Sequence, residues 1–135
     1  MKIAFFQLIK RAAWAPVFVF ILHAGIARTS LREPLDFTIH FLGGASSAYF
    51  LFHALLCFEA LLGNPSCFGR YLFSFALACT VGLFWEFGEL FSDTFLHTHI
   101  QRTIHETMFD LIADATGATS ALLLAFLVRC WKRSR

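Results

Sequence analysis

The side chains of this sequence that can do chemistry recur one helical turn apart in three separate stretches. An α-helix turns by about 100° per residue, so side chains three or four positions apart share one face. The three sets are Asp36 and His40; Glu86, Glu89 and Asp93; and Glu106, Asp110 and Asp114. Carboxylates and imidazoles arranged on facing helices can bind a divalent metal ion or share protons.

The composition indicates that the elements carrying these side chains lie in a membrane. Of the 135 residues, 58% are hydrophobic and 15% are charged, whereas soluble domains average about a quarter charged. A soluble domain of this size has too little interior to bury so many apolar groups, among them 18 Phe, but lipid accepts them on every outward face. The net charge of +2 gives no indication of nucleic-acid binding, and we expect none.

Four segments are long and apolar enough to cross a bilayer as helices, which takes roughly 20 residues. We therefore predict an all-α fold, a polytopic bundle of about four transmembrane helices forming one domain over residues 1–135. The predicted spans are residues 12–27, 36–62, 71–91 and 104–128. Residues 1–11 alternate cationic and apolar side chains, a pattern typical of a short helix along the membrane surface. We expect that segment to be retained and not cleaved as a signal peptide.

Lysine and arginine predict the orientation, because they are enriched in cytoplasmic loops. Eight lie in the N-terminal segment, the second loop and the C-terminus, and three lie in the first and third loops. The eight are Lys2, Lys10, Arg11, Arg70, Arg129, Lys132, Arg133 and Arg135, and the three are Arg28, Arg32 and Arg102. Both termini are therefore expected in the cytoplasm. The four cysteines fall in the cytoplasmic half, where thiols stay reduced.

This orientation places nearly all the acidic side chains in the outer half of the bundle. Small residues follow each acidic set towards the membrane centre, and small residues mark the faces where transmembrane helices touch. The acidic side chains should therefore point into the bundle. The five deepest are the predicted metal ligands: His40, Glu86, Glu89, Asp110 and Asp114. Four more, nearer the helix ends, could extend the polar cluster: Asp36, Asp93, Glu106 and His105.

The cluster predicts a divalent metal ion of iron, manganese, zinc or magnesium, without deciding among them. Ionisable groups inside a membrane cost several kcal/mol or more and need partners, so they are functional by default. Too few cations lie nearby to neutralise five close groups. The Glu-x-x-His pairs of dimetal bundles and the His-Glu-x-x-His zinc motif are both missing. A carboxylate cluster that shares protons is the alternative to a bound metal.

Several of these short motifs resemble those of known bacterial inner-membrane families. The stretch from Trp85 to Glu89 resembles the aromatic-Glu-x-x-Glu motif of YjdF-like proteins, and residues 106–110 resemble their Asp-Thr-x-x-Asp. Their Asp-x-x-x-His is similar to Asp36 and His40, which precede two glycines. Residues 110–118 also resemble the Asp-x-x-x-Asn-x-x-Gly of VanZ-like proteins. The chain departs from these patterns at Glu106, where YjdF-like proteins have Asp, and at Asp114, where VanZ-like proteins have Asn.

The resemblance implies a multi-pass protein of the bacterial inner membrane with a polar intramembrane cluster, and it implies no reaction. VanZ-like proteins are associated with glycopeptide-antibiotic tolerance, which suggests envelope lipids. Three hypotheses for the function remain open. The first is a metal-dependent enzyme acting on a lipid or isoprenoid at the outer leaflet. The others are a proton- or cation-coupled carrier and a non-catalytic subunit of a larger membrane complex or homo-oligomer.

Overall fold

The computed structural model describes residues 2–26, 29–101 and 103–133, and within them the side chains from residue 5 to residue 132. These residues are helical apart from short connections, and they contain no strand. The elements are α1 (Lys2–Leu8), a π-helical segment (Ile9–Ala13), α2 (Trp14–Ile26), α3 (Arg32–Cys57), α4 (Cys67–Leu96) and α5 (Ile104–Arg133). Four stretches are long and apolar enough to cross a membrane: Phe5–Ile26, Arg32–Cys57, Cys67–Leu96 and Ile104–Lys132. The predicted all-α bundle of four membrane helices is confirmed.

The N-terminal segment that the sequence sets apart is continuous with the first span. The π-helical segment joins α1 to α2 without a break in the helical backbone. A π-helical turn leaves backbone groups unpaired, and membrane interiors offer no water to satisfy them. Here the carbonyl of Arg11 accepts hydrogen bonds from Trp14 Nε1 at 3.1 Å and from the Tyr49 hydroxyl at 3.2 Å. Tyr49 on α3 thereby fixes the π-helical segment of the first span against α3.

The loop between α3 and α4 begins earlier than the sequence pattern predicts. Helix α3 ends at Cys57, and the chain then passes through Gly63 and Asn64, whose φ angles of 76° and 53° are left-handed. Helix α4 begins at Cys67 because the hydroxyl of Ser66 accepts a hydrogen bond from a backbone N–H in the first turn, an N-cap. The predicted limits of these two spans are thus displaced by about one turn.

The most deeply buried residues of the bundle are mostly small, and most of the large apolar residues face outwards. Ala48, Ala113 and Ala118 are completely buried, whereas Phe68 and Phe84 are 75% and 66% exposed. A soluble protein shows the opposite distribution, because burying large apolar groups drives its folding. Small interior residues let transmembrane helices approach closely, and lipid surrounds the outer faces. The distribution is therefore that of a membrane protein.

The closest contact in the bundle lies between α3 and α5. A Cβ built on Gly44 would overlap the backbone of Asp114, and one built on Gly117 would overlap the carbonyl of Phe41. No other residue type fits at these two positions without separating the helices. This approach fixes the height of α5 relative to α3, and so the positions of the polar side chains on both.

Candidate functional site

Four polar side chains from three helices meet in the interior of the bundle. His40 comes from α3, Glu86 from α4, and Asp110 and Asp114 from α5. They are between 3% and 6% exposed. The Nδ1 atom of His40 lies 3.5 Å from Asp114 Oδ2 and 3.8 Å from Glu86 Oε1. The three stripes predicted from helical spacing thus converge on the histidine.

Glycines surround the carboxylate of Asp114. A Cβ on Gly43 would lie 3.4 Å from Oδ1, and one on Gly82 would lie 2.5 Å from Oδ2. Real Cβ atoms essentially never approach within 3.0 Å of another heavy atom, so the position of the carboxylate depends on the absence of a side chain at Gly82. The predicted small-residue faces therefore serve two purposes: they pack the helices and they leave room for a buried acid.

Glu86 is held from the outer side by the loop between α4 and α5. The side-chain amide of Gln101 donates hydrogen bonds of 3.0 Å to Glu86 Oε2 and to the backbone carbonyl of Glu86. The loop is itself fixed by Asp93, whose carboxylate accepts bonds from the hydroxyl of Thr98 and from the backbone N–H groups of Ile100 and Gln101, at 2.6–2.7 Å. The second oxygen of Glu86 is left facing His40.

Three of these side chains are close enough together to bind one metal ion. His40, Glu86 and Asp110 each offer one ligand atom, and the three atoms lie within 4.8 Å of one another. Atoms that bind one zinc ion tetrahedrally at about 2.0–2.2 Å lie about 3.3–3.6 Å from each other, so a pair at the full 4.8 Å would have to close by more than about 1 Å. Glu86 Oε1 is buried and has no hydrogen-bond partner among the described residues.

The cluster contains more acidic groups than basic ones. Within the described residues, none of the carboxylates of Glu86, Asp110 and Asp114 forms a salt bridge with a lysine or arginine. A single imidazole faces them, and it carries at most one positive charge. Burying carboxylates without neutralisation is very costly. The group requires either bound protons or a cation.

The other predicted site residues lie around this group. Glu89 is half-buried, and its Oε1 accepts a hydrogen bond of 3.1 Å from Trp85 Nε1. Asp36 and Glu106 are half-buried one turn before His40 and Asp110, whereas His105 is exposed. Asp93 holds the loop, as described above. Arg28, Arg102 and Arg135, used in the charge count, lie outside the described residues.

One cavity reaches the cluster and a second lies beside Glu89, and the side chains of His23 and Trp85 line both. The first, which we call the apolar cleft, has a volume of about 350 Å³ between α2, α3 and α4, and it reaches His40 and Asp114. The second, the outer cavity, has a volume of about 670 Å³ and includes Arg32 in its wall. The rings of His23 and Trp85 are 4.9 Å apart in an edge-to-face contact. This pair is therefore the partition between the two cavities.

Sequence reasoning missed Gln101 and the partition. Gln101 is a single amide in a loop, and it reaches Glu86 only because Asp93 folds that loop back over the bundle. No spacing rule contains that information. Trp85 carries a weak signal, since it directly precedes Glu86, but its contact with His23 depends on how α2 packs.

The fold and the cluster define a class: a polytopic helical membrane protein with buried histidine, glutamate and aspartate side chains at the contact of three helices. Residues 4–131 match the family described as "Predicted membrane protein (DUF2238)", and the chain belongs to that family. Comparison with curated proteins gives no match, and comparison with solved structures gives none. The membrane assignment is thus supported by sequence, fold and family.

Proposed function

We propose that this protein is a metal-dependent membrane enzyme whose ion is held by His40, Glu86 and Asp110 and whose substrate is a lipid or isoprenoid. The observation that carries the proposal is Oε1 of Glu86, which is buried, has no hydrogen-bond partner among the described residues, and lies 3.8 Å from His40 Nδ1 within a group of metal-ligating atoms. A divalent cation held by these residues would satisfy that oxygen and offset the surplus negative charge, and it would supply Lewis acidity or activate water.

The ligand types favour iron, manganese or zinc over magnesium. One imidazole nitrogen and two carboxylate oxygens form a mixed set, whereas magnesium prefers oxygen ligands alone and retains its waters. Asp114 Oδ2 lies 3.5 Å from Nδ1 of His40; if that nitrogen is held by Asp114, the ion would be bound by the other ring nitrogen, Nε2, which is the usual arrangement of a carboxylate behind a metal-bound histidine. Glu89, which is bonded to Trp85, lies outside the proposed ligand set.

The proposal is tested by metal binding to the purified full chain in detergent. Metal content is measured by elemental analysis on the isolated protein, and zinc and manganese are then titrated calorimetrically after chelation. We expect one ion per chain. Glu86→Gln keeps the size of the side chain but removes the charge, and should weaken binding by more than the roughly 10–100-fold typical of an outer partner.

The matched control is Glu89→Gln, the same change three residues further along α4. It should leave the metal affinity within about twofold, because Glu89 is not among the three ligand-bearing residues. A folded wild-type protein that carries no iron, manganese or zinc by elemental analysis and binds neither zinc nor manganese on titration would refute the proposal. In that case the cluster would be one that shares protons, as a proton-coupled carrier requires.

We further propose that the protein lies in the bacterial inner membrane with both termini in the cytoplasm, as the resemblance to YjdF-like and VanZ-like proteins and the charge count imply. An even number of candidate spans supports the shared side of the termini. The start of α4 also lies beside the end of α5, where Tyr71 and Phe126 are in ring contact at 6.0 Å. In this orientation the proposed metal ligands, His40, Glu86 and Asp110, lie in the outer half of the bundle.

A further inference from the structure

We infer that the apolar cleft binds the hydrocarbon chain of one single-chain amphipathic lipid, with the polar end of that lipid directed to His40. This inference deepens the proposed function, on which it rests, because it names the substrate class of the same site and the path by which the substrate arrives.

The first support is the shape and lining of the cleft. Helix α2 packs on α3, and its Phe20 and His23 are in ring contact with Trp85 of α4. The space left below that contact is bounded by apolar side chains of α2 and α4, with a floor of glycine and serine on α3. Ligand pockets commonly have this form, an apolar cavity with a few polar groups at one place.

The second support is the volume of the cleft. A buried apolar cavity of about 150 Å³ is large enough to bind benzene, and this cleft has about 350 Å³. It therefore has room for a segment of one hydrocarbon chain. An empty space of this size would also deprive the lining atoms of van der Waals contacts.

The third support is the position of the polar groups. His40 and Asp114 are the ionisable groups at the floor of the cleft, and both belong to the buried cluster. An occupant must be apolar along most of its length and polar where it meets these side chains. Single-chain lipids have that form.

The fourth support is the route of entry. The cleft lies between helices α2, α3 and α4 of three candidate membrane spans, and its margins carry the exposed apolar side chains of Val17, Phe20 and Val81. These side chains face the hydrocarbon of the bilayer, so a lipid can enter sideways without leaving an apolar environment. A water-soluble substrate would have to cross that apolar margin.

The test uses a dibrominated lysophosphatidylcholine, whose bromine atoms quench nearby tryptophan fluorescence. Trp14→Phe and Trp131→Phe leave Trp85, in the wall of the cleft, as the only tryptophan. The full chain in detergent should show saturable quenching of Trp85. If the polar end lies at the metal, zinc should strengthen probe binding, and the probe should strengthen zinc binding by the same factor.

Ser47→Phe fills the cleft from its floor without altering the cluster, and it should weaken probe binding about tenfold or more. Its control is Ser120→Phe, the same change on the exposed face of α5, which should have no effect. Equal quenching in both variants would overturn the lipid site. Crosslinking that shows a second copy of the chain in the cleft, with loss of probe binding, would also overturn it. Isolated protein that carries no iron, manganese or zinc and binds neither zinc nor manganese in calorimetry would overturn the metal proposal instead, so the two failures are distinguishable.

Discussion

Replacing Gly82 by alanine tests whether the absence of a side chain there positions Asp114. The new Cβ would lie 2.5 Å from Asp114 Oδ2 and 3.0 Å from its Cγ. The carboxylate must retreat by about 0.9 Å to reach ordinary van der Waals contact at 3.4 Å. The backbone of Asp114 cannot move, because it packs on Gly44. The carboxylate must therefore rotate, and rotation breaks its contact with His40.

Two quantities follow from this displacement. Overpacking a close-packed interior costs about 1–3 kcal/mol, and alanine recovers about 1 kcal/mol of helix propensity relative to glycine. Gly88→Ala provides the control on the same helix, because a Cβ there meets nothing within 4 Å. Both variants gain the same propensity, so the difference between them isolates the overpacking, about 1–3 kcal/mol. Zinc affinity should fall about 10–100-fold in Gly82→Ala alone, as when a metal-binding histidine loses its partner.

The assay measures equilibrium unfolding of the two variants in mixed detergent micelles by circular dichroism, followed by zinc calorimetry on the folded samples. If Gly82→Ala and Gly88→Ala have the same free energy of unfolding and the same zinc affinity, then Gly82 does not position the carboxylate. A loss of stability with unchanged zinc affinity would mean that Gly82 matters only for packing and that the position of Asp114 does not affect metal binding.

Three further predictions concern other parts of the bundle. Gly117→Ala, whose Cβ would overlap the backbone of α3, should destabilise the protein by about 3 kcal/mol or more in the same unfolding assay, since backbone cannot give way as a side chain can. Gln101→Leu should weaken zinc binding about tenfold through lost support of Glu86, with little change in far-ultraviolet circular dichroism; unchanged affinity contradicts the positioning role. A membrane-impermeant maleimide should label the exposed Cys67 and Cys130 in inverted membrane vesicles but not in intact spheroplasts. Labelling in spheroplasts would reverse the proposed orientation.

The sequence predicts the helices and the meeting of the polar side chains because both depend on local periodicity. Long apolar segments must be helical in a membrane, where every backbone group needs an internal partner. Side chains three or four residues apart share a face whatever the surroundings. His40, Glu86, Asp110 and Asp114 are buried together for this reason.

The rest depends on how far each helix is rotated and how each loop folds. Glu86 and Glu89 are separated by about 60° around α4, and the sequence assigns both to one stripe. Rotation of α4 places Glu86 in the interior and leaves Glu89 half-buried beside Trp85. Helix α3 likewise ends at Cys57 because Phe58 leaves the helical conformation (φ −115°, ψ 16°), and the apolar sequence, which continues to residue 62, gives no sign of that change.

The contact that holds the bundle together is also the contact that builds the site. Transmembrane helices gain no hydrophobic free energy by associating in lipid, so close van der Waals packing at small residues has to stabilise them. Asp114 takes part in that packing through its backbone on Gly44, while its carboxylate occupies the space at Gly82. A change that loosens α3 from α5 therefore moves a buried charge, and a change at the charge strains the packing. By the same linkage, an ion that binds only the packed arrangement must stabilise the association of the helices. This coupling explains why the most polar residues of the chain lie beside its tightest helix contact.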